Sequence, residues 1–468
     1  MSSWGQRKWS FLLVLTLMLF SIVMVMISLL QPERAISLLQ PERAIRLKRE
    51  ACGCSVRSDS ETFTRVPGSR TLLINAFREH RTPAASIRLL AIVPGEERSL
   101  RSRCVFCCQG DSEMATATAQ RTTHRSNYFF PYGTGDFLCL IPPGCEPRFV
   151  GLLSGDSVDF TNFTLLPVLN RASVERPRLP LGFTLCIANM FNSYDNVLQF
   201  VQAMELYRLL GIQRVIVYKT SCSATMDTVL DYYSRKTGFL QVRPWPIDAF
   251  LKPSSSWTPS LGPGQIHYYG QIPSSNDCLY RSMYQSRYVL MHDADEVILP
   301  AGNVSFQTLI SDLEKAHGEK VNFYFPNNVF PYEEKEENSR FDFPEWRNVP
   351  GSNFLGHVLR ELDTSGYNTG KLVLDPRGVL QMEVHSVNEH IDGGRTERVG
   401  RERGQLYHVR RRKNNQQGAL VRDEGLLKVA GALVERVNHA LSSMGLLNTT
   451  AGPAPTSAHP SPAMAGLR

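Results

Sequence analysis

Residues 183–219 read FTLCIANMFNSYDNVLQFVQAMELYRLLGIQRVIVYK, and three elements follow one another within them. Residues 183–190 form an apolar run of the length of a buried strand. In residues 197–210 the apolar side chains recur at helical spacing, and Gly211 is suited to end that helix. Arg214–Lys219 is rich in β-branched residues, as strands are. The stretch predicts a strand–helix–strand unit.

The same alternation continues after this unit. We predict a second helix over residues 227–237, a strand over 240–245, a helix over 276–286 that Asn276 and Asp277 open as caps, and a fourth strand over 288–293. Units of this kind build a parallel sheet with right-handed crossovers and helices on both faces. The predicted fold class is α/β, with a Rossmann-type, mostly parallel sheet whose ligands bind at the carboxyl ends of the strands.

Two aspartates follow the fourth predicted strand in the stretch YVLMHDADEVILP, residues 288–300. Asp293 and Asp295 stand two positions apart, and Glu296 is adjacent. An isolated Asp-x-Asp sequence is most often a pair of solvated carboxylates in a turn. Here the pair ends a strand of an α/β series, where carboxylates can hold Mn²⁺ or Mg²⁺ against the diphosphate of a nucleotide-sugar. This position favours a metal-dependent nucleotide-sugar site.

Five motifs, in order along the chain, resemble those of glycosyltransferase family 92. They are LLGIQRV at 209–215, NDCLYR at 276–281, DADE at 293–296 with Pro300, MEVHSV at 382–387 and YHVR at 407–410. The resemblance covers roughly residues 85–415, although this chain has Val409 where the family usually has an aromatic residue. It implies a GT-A-type fold, a UDP-sugar donor (UDP-galactose in characterised members), Mn²⁺ and inversion at the anomeric carbon. It also suits a type II membrane protein of the Golgi.

The resemblance also assigns metal and donor contacts by position. Asp295 is expected to ligate the metal directly, and Asp293 to assist the metal or the ribose. His385 follows a strand-like run over residues 379–384 and is the expected further protein ligand, with His408 as the second choice. For either histidine the alternative is a surface or core residue without a ligand role.

An inverting transfer also needs a carboxylate that takes the proton from the acceptor hydroxyl. Glu296 is one candidate; it either positions the acceptor or pairs at the end of its strand. Glu345 is the other, because it stands between aromatic residues, and its alternative is an ordinary loop acid. Trp257 and Trp245 could stack on sugar or uracil, although Trp245 is at least as well explained as a core residue.

The N-terminal sequence predicts a membrane anchor. Residues 9–30 contain 22 residues without a charge, enough to cross a bilayer, and no short signal-peptide core. Residues 1–8 are then a cytoplasmic tail. Residues 31–60 form a stem, which with the end of the span contains SLLQPERAI twice in tandem, at 28–36 and 37–45.

The orientation of this anchor rests on conflicting signals. More basic residues follow the span than precede it, which taken alone places the C-terminal side in the cytoplasm. Ten cysteines and sequons at Asn162, Asn303 and Asn448 favour the lumen instead. We therefore expect a single-pass type II protein of the Golgi membrane with a lumenal catalytic domain.

Two further regions flank the predicted transferase domain, residues 180–415. Residues 61–175 have short apolar runs broken by Gly, Pro and Ser, which predicts a β-rich accessory region. Seven cysteines precede residue 150, and Cys104-x-x-Cys107 resembles half of a zinc or redox motif; disulfides are favoured, with the pairing left open. Residues 416–468 predict an amphipathic segment and a low-complexity tail.

Composition limits the function classes. The 468 residues are 42% hydrophobic and 20% charged, as in a globular protein, and the net charge of +7 lies partly in residues 43–49 and 410–413. Such clustering gives no support to a nucleic-acid role. The expected partners are a UDP-sugar, a glycan acceptor and the bilayer, with the oligomeric state open. The alternative function is a catalytically inactive, transferase-like protein that binds a glycan or a partner protein.

Overall fold

The computed structural model describes residues 47–48, 55–58, 60–110, 113–155, 163–336, 339–362, 369–412 and 419–447. The predicted tail, membrane span and tandem repeat lie outside these residues, as do the sequons at Asn162 and Asn448. In the described ranges no helix is long and apolar enough to cross a membrane. The span over residues 9–30 therefore stays a prediction.

The first ten strands form one sheet, in the region that short apolar runs predicted to be β-rich. They are β1 (Leu47–Lys48), β2 (Ser55–Val56), β3 (Thr64–Arg65), β4 (Leu72–Glu79), β5 (Ser86–Pro94), β6 (Ser102–Cys108), β7 (Glu113–Thr123), β8 (Tyr132–Leu140), β9 (Pro147–Ser154) and β10 (Thr164–Leu169). Their order is β2-β10-β9-β6-β7-β8-β5-β4-β3, and β1 pairs with β7. Because β10 also pairs with β4, the sheet closes into a barrel around a core that includes Leu89, Phe106 and Phe137. Its first two strands lie within the range predicted as stem.

Disulfides cross-link both the barrel and the region that follows it. Cys104–Cys139 and Cys108–Cys145 join strands and a turn of the barrel. Further along the chain, the Cys186–Cys278 disulfide joins two residues that are 92 positions apart in the sequence. Within the described ranges Cys107 and Cys222 are free, so the Cys104-x-x-Cys107 pair does not form a disulfide with itself.

The second sheet has seven strands in the order β13-β12-β11-β14-β19-β16-β22. β11 (Leu181–Met190), β12 (Arg214–Lys219), β13 (Leu240–Pro244) and β14 (Ser286–His292) are parallel, which confirms the predicted strands. β19 (Lys371–Leu374) runs antiparallel to β14 and to β16 (Val321–Phe325), and β22 (Arg395–Arg398) completes the edge. The domain is therefore α/β with a mixed sheet.

Helices cover both faces of this sheet. Alternate side chains of β11 point to opposite faces, so Leu185 and Ile187 enter one core and Cys186 the other. The first core also contains side chains of the helices α1 (Val197–Leu209), α2 (Ala224–Asp231), α4 (Phe306–His317) and α5 (Ala430–Ser443), and the second contains those of α3 (Gln271–Ser282). The predicted amphipathic C-terminal segment thus supplies a helix that packs on the α/β domain.

One predicted helix begins at the wrong residue. Asn276 and Asp277 do not cap α3; they lie inside it and are buried. The helix begins after Gly270, whose φ of 73° breaks the helical path, so the five residues before Asn276 are already helical. Asn276 instead bonds the backbone of Met382, with 2.9 Å between Nδ2 and the carbonyl oxygen. Its polar groups are satisfied by the fold rather than by a helix end.

Smaller sheets complete the structure. β15 (Glu296–Pro300), β23 (Gly404–Arg410) and β17 (Asn327–Pro331) form a three-stranded sheet in that order. Two further sheets have two strands each: β18 (Leu359–Glu361) pairs with β24 (Leu420–Arg422), and β20 (Val379–Met382) pairs with β21 (Val387–His390).

The barrel and the α/β domain share a buried polar contact. Asn75 Nδ2 of β4 donates to Asp277 Oδ1 of α3 over 2.6 Å. Arg81, beyond the end of β4, donates to the Tyr280 hydroxyl over 2.9 Å and to the Val379 carbonyl over 2.6 Å. Because these groups are buried, separating the two parts would leave several of them without partners, which is costly. The barrel is thus fixed against α3 and β20.

Candidate active site

The acidic motif lies where the chain passes from one sheet to another. β14 ends at His292, Asp293–Asp295 forms a turn, and Glu296 begins β15 of the three-stranded sheet. Gln199 of α1 donates to the Asp295 carbonyl over 2.8 Å, and Gln271 of α3 to Asp293 Oδ1 over 2.7 Å. Helices from both faces therefore hold the turn at the carboxyl end of a parallel strand, where α/β sheets bind ligands.

A buried lysine pairs with the motif. Lys371 begins β19, and its Nζ lies 2.8 Å from Asp293 Oδ2 and 3.5 Å from Glu296 Oε2. Only 2% of Lys371 is exposed. Burial alone would lower the pKa of Lys371, but the charges of Asp293 and Glu296 raise it above the usual range. Sequence reasoning missed this residue; its one signal was a single charge at the head of an apolar strand.

Glu296 orients its neighbours. Its Oε2 accepts the backbone N–H of Asp293 over 3.0 Å, and its Oε1 lies 3.2 Å from His408 Nδ1. Glu296 and His408 stand opposite each other in the β15–β23 pairing. Burial raises the pKa of Glu296 above its usual value, since Lys371 and His408 only partly offset the loss of hydration and the charge of Asp293.

Asp295 keeps one oxygen uncommitted. Its Oδ2 lies 3.4 Å from His408 Nε2. Its Oδ1 is buried and has no hydrogen-bond partner in the described part of the chain. A buried carboxylate oxygen without a donor is costly, so such an atom marks a position where a ligand can bind.

His385 lies close to the same cluster, in the turn after β20. Its Nδ1 is 2.9 Å from the carbonyl oxygen of Gly370, the residue before Lys371. A carbonyl only accepts, so this contact assigns the proton to Nδ1 and leaves the Nε2 lone pair available. Burial, reinforced by the charge of Lys371, lowers the pKa of His385, which keeps the ring neutral as a metal ligand requires.

The structure thus brings most of the predicted site residues together. Four of them contact one another or Lys371, namely Asp293, Asp295, Glu296 and His408. His385 lies beside Lys371, at the carbonyl of Gly370. Glu345 is elsewhere, in the turn Pro344–Trp346, whose tryptophan donates to Asn438 of α5. No hydrogen bond or ion pair of the described residues joins Glu345 to the cluster.

The two tryptophans differ. Trp245 is fully buried and donates to the Tyr269 carbonyl over 2.8 Å, so it is a core residue. Trp257 is partly exposed, and its ring stacks on His385 with centroids 5.5 Å apart.

Comparison with known proteins gives the family of this chain. The profile of glycosyltransferase family 92 matches residues 182–438. Because this match covers more than half of the chain, the protein belongs to that family.

More distant likenesses exist. A β-1,4-galactosyltransferase of Caenorhabditis elegans, galt-1, is 20% identical over 164 residues, which cover 31% of this chain and 36% of that protein. The chain thus aligns with about a third of this relative's length. GalNAc-T7 with UDP, GalNAc and Mn²⁺ is 10% identical, with a TM-score of 0.27 over 53% of this chain and 45% of the other. Mannosyl-3-phosphoglycerate synthase from Rubrobacter xylanophilus is 12% identical, with a TM-score of 0.22 over 58% and 78%.

Proposed function

We propose that this glycosyltransferase transfers galactose from UDP-galactose to a glycan acceptor, with inversion and with the help of Mn²⁺ or Mg²⁺. The observation that carries the proposal is the buried Oδ1 of Asp295, which has no partner among the described residues and adjoins the Asp293–Lys371 pair. The choice of galactose is supported by the name of the distant relative, a β-1,4-galactosyltransferase.

The donor atoms available at this site suit a hard divalent cation. The carboxylates of Asp295 and Asp293 and the Nε2 of His385 are oxygen and imidazole ligands of the kind Mn²⁺ accepts, and His408 is a further imidazole. In the described ranges no three His, Cys, Asp or Glu side chains form a ready-made metal cage. A cation that shares its coordination with substrate phosphates needs only one or two carboxylates of the protein.

A divalent cation bound here would offset the negative charge that gathers on the departing nucleoside diphosphate. Two cationic side chains of the protein would offset the same negative charge. Lys371 holds its ammonium group at the carboxylates, and Arg410 lies two residues after His408 on the same face of β23. The Nε of Arg410 is buried and without a hydrogen-bond partner in the described structure, so it is available to a phosphate oxygen.

Glu296 acts as a positioning residue in this proposal. Both of its oxygens are engaged, by the Asp293 N–H and by His408, and only 2% of the residue is exposed. It therefore holds the turn and the imidazole rather than reaching an acceptor hydroxyl. Glu345 as the base stays a prediction: it is partly exposed, but no hydrogen bond or ion pair of the described residues ties it to the cluster, and a base must reach the acceptor hydroxyl.

One observation favours the second candidate function, an inactive protein that binds glycans. Lys371 already neutralises Asp293 at 2.8 Å, so a cation must compete with a buried ammonium group there. A protein without turnover would keep this ion pair as a purely structural contact.

The test is turnover with a panel of UDP-sugars. The purified protein should release UDP from UDP-galactose in the presence of Mn²⁺ and should lose this activity with a chelator. Adding glycan acceptors should accelerate the release and yield a galactosylated product of inverted anomeric configuration. A protein that binds UDP but releases none from any UDP-sugar, with or without acceptor, would support the binding function.

We further propose that the protein is a type II protein of the Golgi membrane, anchored through residues 9–30, with its catalytic domain in the lumen. The support is the uncharged span and the sequons. A glycosidase-sensitive mobility shift of the full-length protein is expected. Protection of the N-terminus and digestion of the catalytic domain by protease added to the cytosolic side would contradict this topology.

A further inference from the structure

The loop between β7 and β8 leaves the barrel and contacts the transferase domain beside the candidate active site. Tyr132 N, at its end, donates to the Gln265 carbonyl over 3.0 Å. Ser126 Oγ hydrogen-bonds the Glu383 carboxylate, and the Tyr128 hydroxyl lies 3.4 Å from Glu383 Oε1. Glu383 precedes His385 by two residues, so the barrel contacts the segment that contains His385.

Aromatic rings continue from this loop to the candidate metal ligand. Tyr128 stacks on His267 with centroids 4.3 Å apart and planes inclined by 22°. Trp257 lies 5.2 Å from Tyr128 and 5.5 Å from His385, the latter in a stacked arrangement. His267 is 3% exposed, and in the described part of the chain neither of its ring nitrogens has a hydrogen-bond partner. The rings therefore surround buried polar atoms that a ligand could satisfy.

The loop presents a further ring to solvent. Phe129 is 86% exposed, and both Tyr128 and Phe129 adopt left-handed backbone conformations, with φ of 51° and 66°. Asn127 holds this shape, because its side chain accepts from the Phe129 N–H at 3.2 Å and donates to the Phe130 carbonyl at 3.2 Å. Left-handed backbone is unfavourable for aromatic residues and persists where the surroundings impose it, commonly at binding sites.

Building on the proposed function, we propose that Tyr128, Phe129 and Trp257 form a subsite for a sugar ring of the acceptor glycan. A neutral pyranose has an apolar C–H face that packs on aromatic rings and hydroxyls that reach buried polar atoms such as the nitrogens of His267. Exposed aromatic surface next to buried, unsatisfied polar groups is the composition of a small-molecule site. Because the rings adjoin His385, a sugar bound there would lie next to the donor.

Uracil of the donor is the competing occupant, since it also stacks on aromatic rings. The test therefore measures sugar and nucleotide binding separately. Binding of the full-length protein and its Phe129→Ala variant to an array of neutral oligosaccharides is compared with their affinity for UDP in Mn²⁺, measured by calorimetry. Acceptor-free hydrolysis of UDP-galactose gives a third readout. Tyr332→Ala is the matched control, because Tyr332 is an exposed aromatic residue that stacks on His357 instead.

Phe129→Ala should weaken oligosaccharide binding about fivefold to tenfold, the usual worth of an aromatic contact, while UDP affinity, hydrolysis and the melting temperature stay unchanged. Tyr332→Ala should change none of them. Unchanged oligosaccharide binding by Phe129→Ala, a loss of UDP affinity instead, or a wild-type protein that binds no oligosaccharide would each overturn the subsite. Absence of UDP release from every UDP-sugar, with or without acceptor, would overturn the proposed transferase function, while the binding comparison still decides the subsite.

Discussion

Methionine has nearly the shape of lysine but carries no charge. Replacing Lys371 by methionine therefore leaves the carboxylates of the acidic motif without the ammonium group that offsets them. The ammonium group stands 2.8 Å from Asp293 and 3.5 Å from Glu296, and the side chains of Lys371 and Glu296 are each 2% exposed. With an effective dielectric constant of about 20, the attraction to Asp293 amounts to roughly 6 kcal/mol before the cost of removing the charges from water, and the attraction to Glu296 adds about 5 kcal/mol when that carboxyl is charged. That cost is several kcal/mol per ion.

The net effect is smaller than the Coulomb energies, because dehydration offsets most of them. Removing one partner of a buried ion pair typically costs about 3–5 kcal/mol, and we expect this loss in the free energy of unfolding of Lys371→Met. Adding Asp293→Asn should restore about 0.5–3 kcal/mol, because residues in one ion-pair network couple by that amount. Lys315→Met is the control: its partner Asp312 is 3.0 Å away, but both side chains are more than half exposed, so the change should cost within about 1 kcal/mol.

The assay is denaturant unfolding of the wild type and these three variants, monitored by fluorescence at neutral pH. Lys371→Met should also gain more thermal stability from Mn²⁺ with UDP than the wild type does, because its carboxylates no longer have a protein cation. If Lys371→Met unfolds within about 1 kcal/mol of the wild type, or if Asp293→Asn gives no recovery, the buried charge balance described for this site is wrong.

Three further predictions concern the structure around the site. Burial alone would raise the pKa of Glu79, but the hydrogen bond and charge of Arg81 lower it to about 2, so its stabilising effect is complete above pH 4.5 and is lost as the pH falls towards 2. Glu79→Gln should therefore flatten the acid limb of a stability profile, and an unaltered limb would contradict this. Cys186→Ala should lower the free energy of unfolding by about 4–5 kcal/mol in the chain-entropy model, because the Cys186–Cys278 bond spans 92 residues. Unfolding with and without reductant measures this loss, and a variant as stable as the wild type would refute the cross-link. Trp245→Ala should cost about 3–5 kcal/mol while UDP affinity in the folded fraction stays unchanged, and a selective loss of UDP binding would instead make Trp245 a ligand contact.

The strands and helices of the α/β domain could be predicted because each carries its own pattern. Residues 183–190 and Arg214–Lys219 are apolar runs of strand length, and Gly211 ends the helix between them. α3 could not be placed as well, because its polar residues Asn276 and Asp277 resemble caps. Their true partners, Met382 and Asn75, come from distant parts of the chain.

The candidate site was predictable where its residues share one motif. Asp293 and Asp295 follow a strand, and that local order indicates the carboxyl end of a sheet. Lys371 comes 78 residues after Asp293 and reaches it only because β19 pairs antiparallel with β14. The same holds for Tyr128, which belongs to the barrel and meets Trp257 only in the folded protein. Pairings of this kind depend on topology, which local sequence does not encode.

The central claim, that Asp295 is the metal-binding carboxylate of a UDP-sugar transferase, is tested most directly by Asp295→Ala. The side chain is 15% exposed and its buried Oδ1 has no partner among the described residues, so truncation should leave the melting temperature close to that of the wild type. Mn²⁺-dependent release of UDP should fall by at least about 100–1000-fold, the usual effect of losing an electrostatic group at a reacting centre. A variant that melts normally and releases UDP at the wild-type rate would show that the site is misplaced.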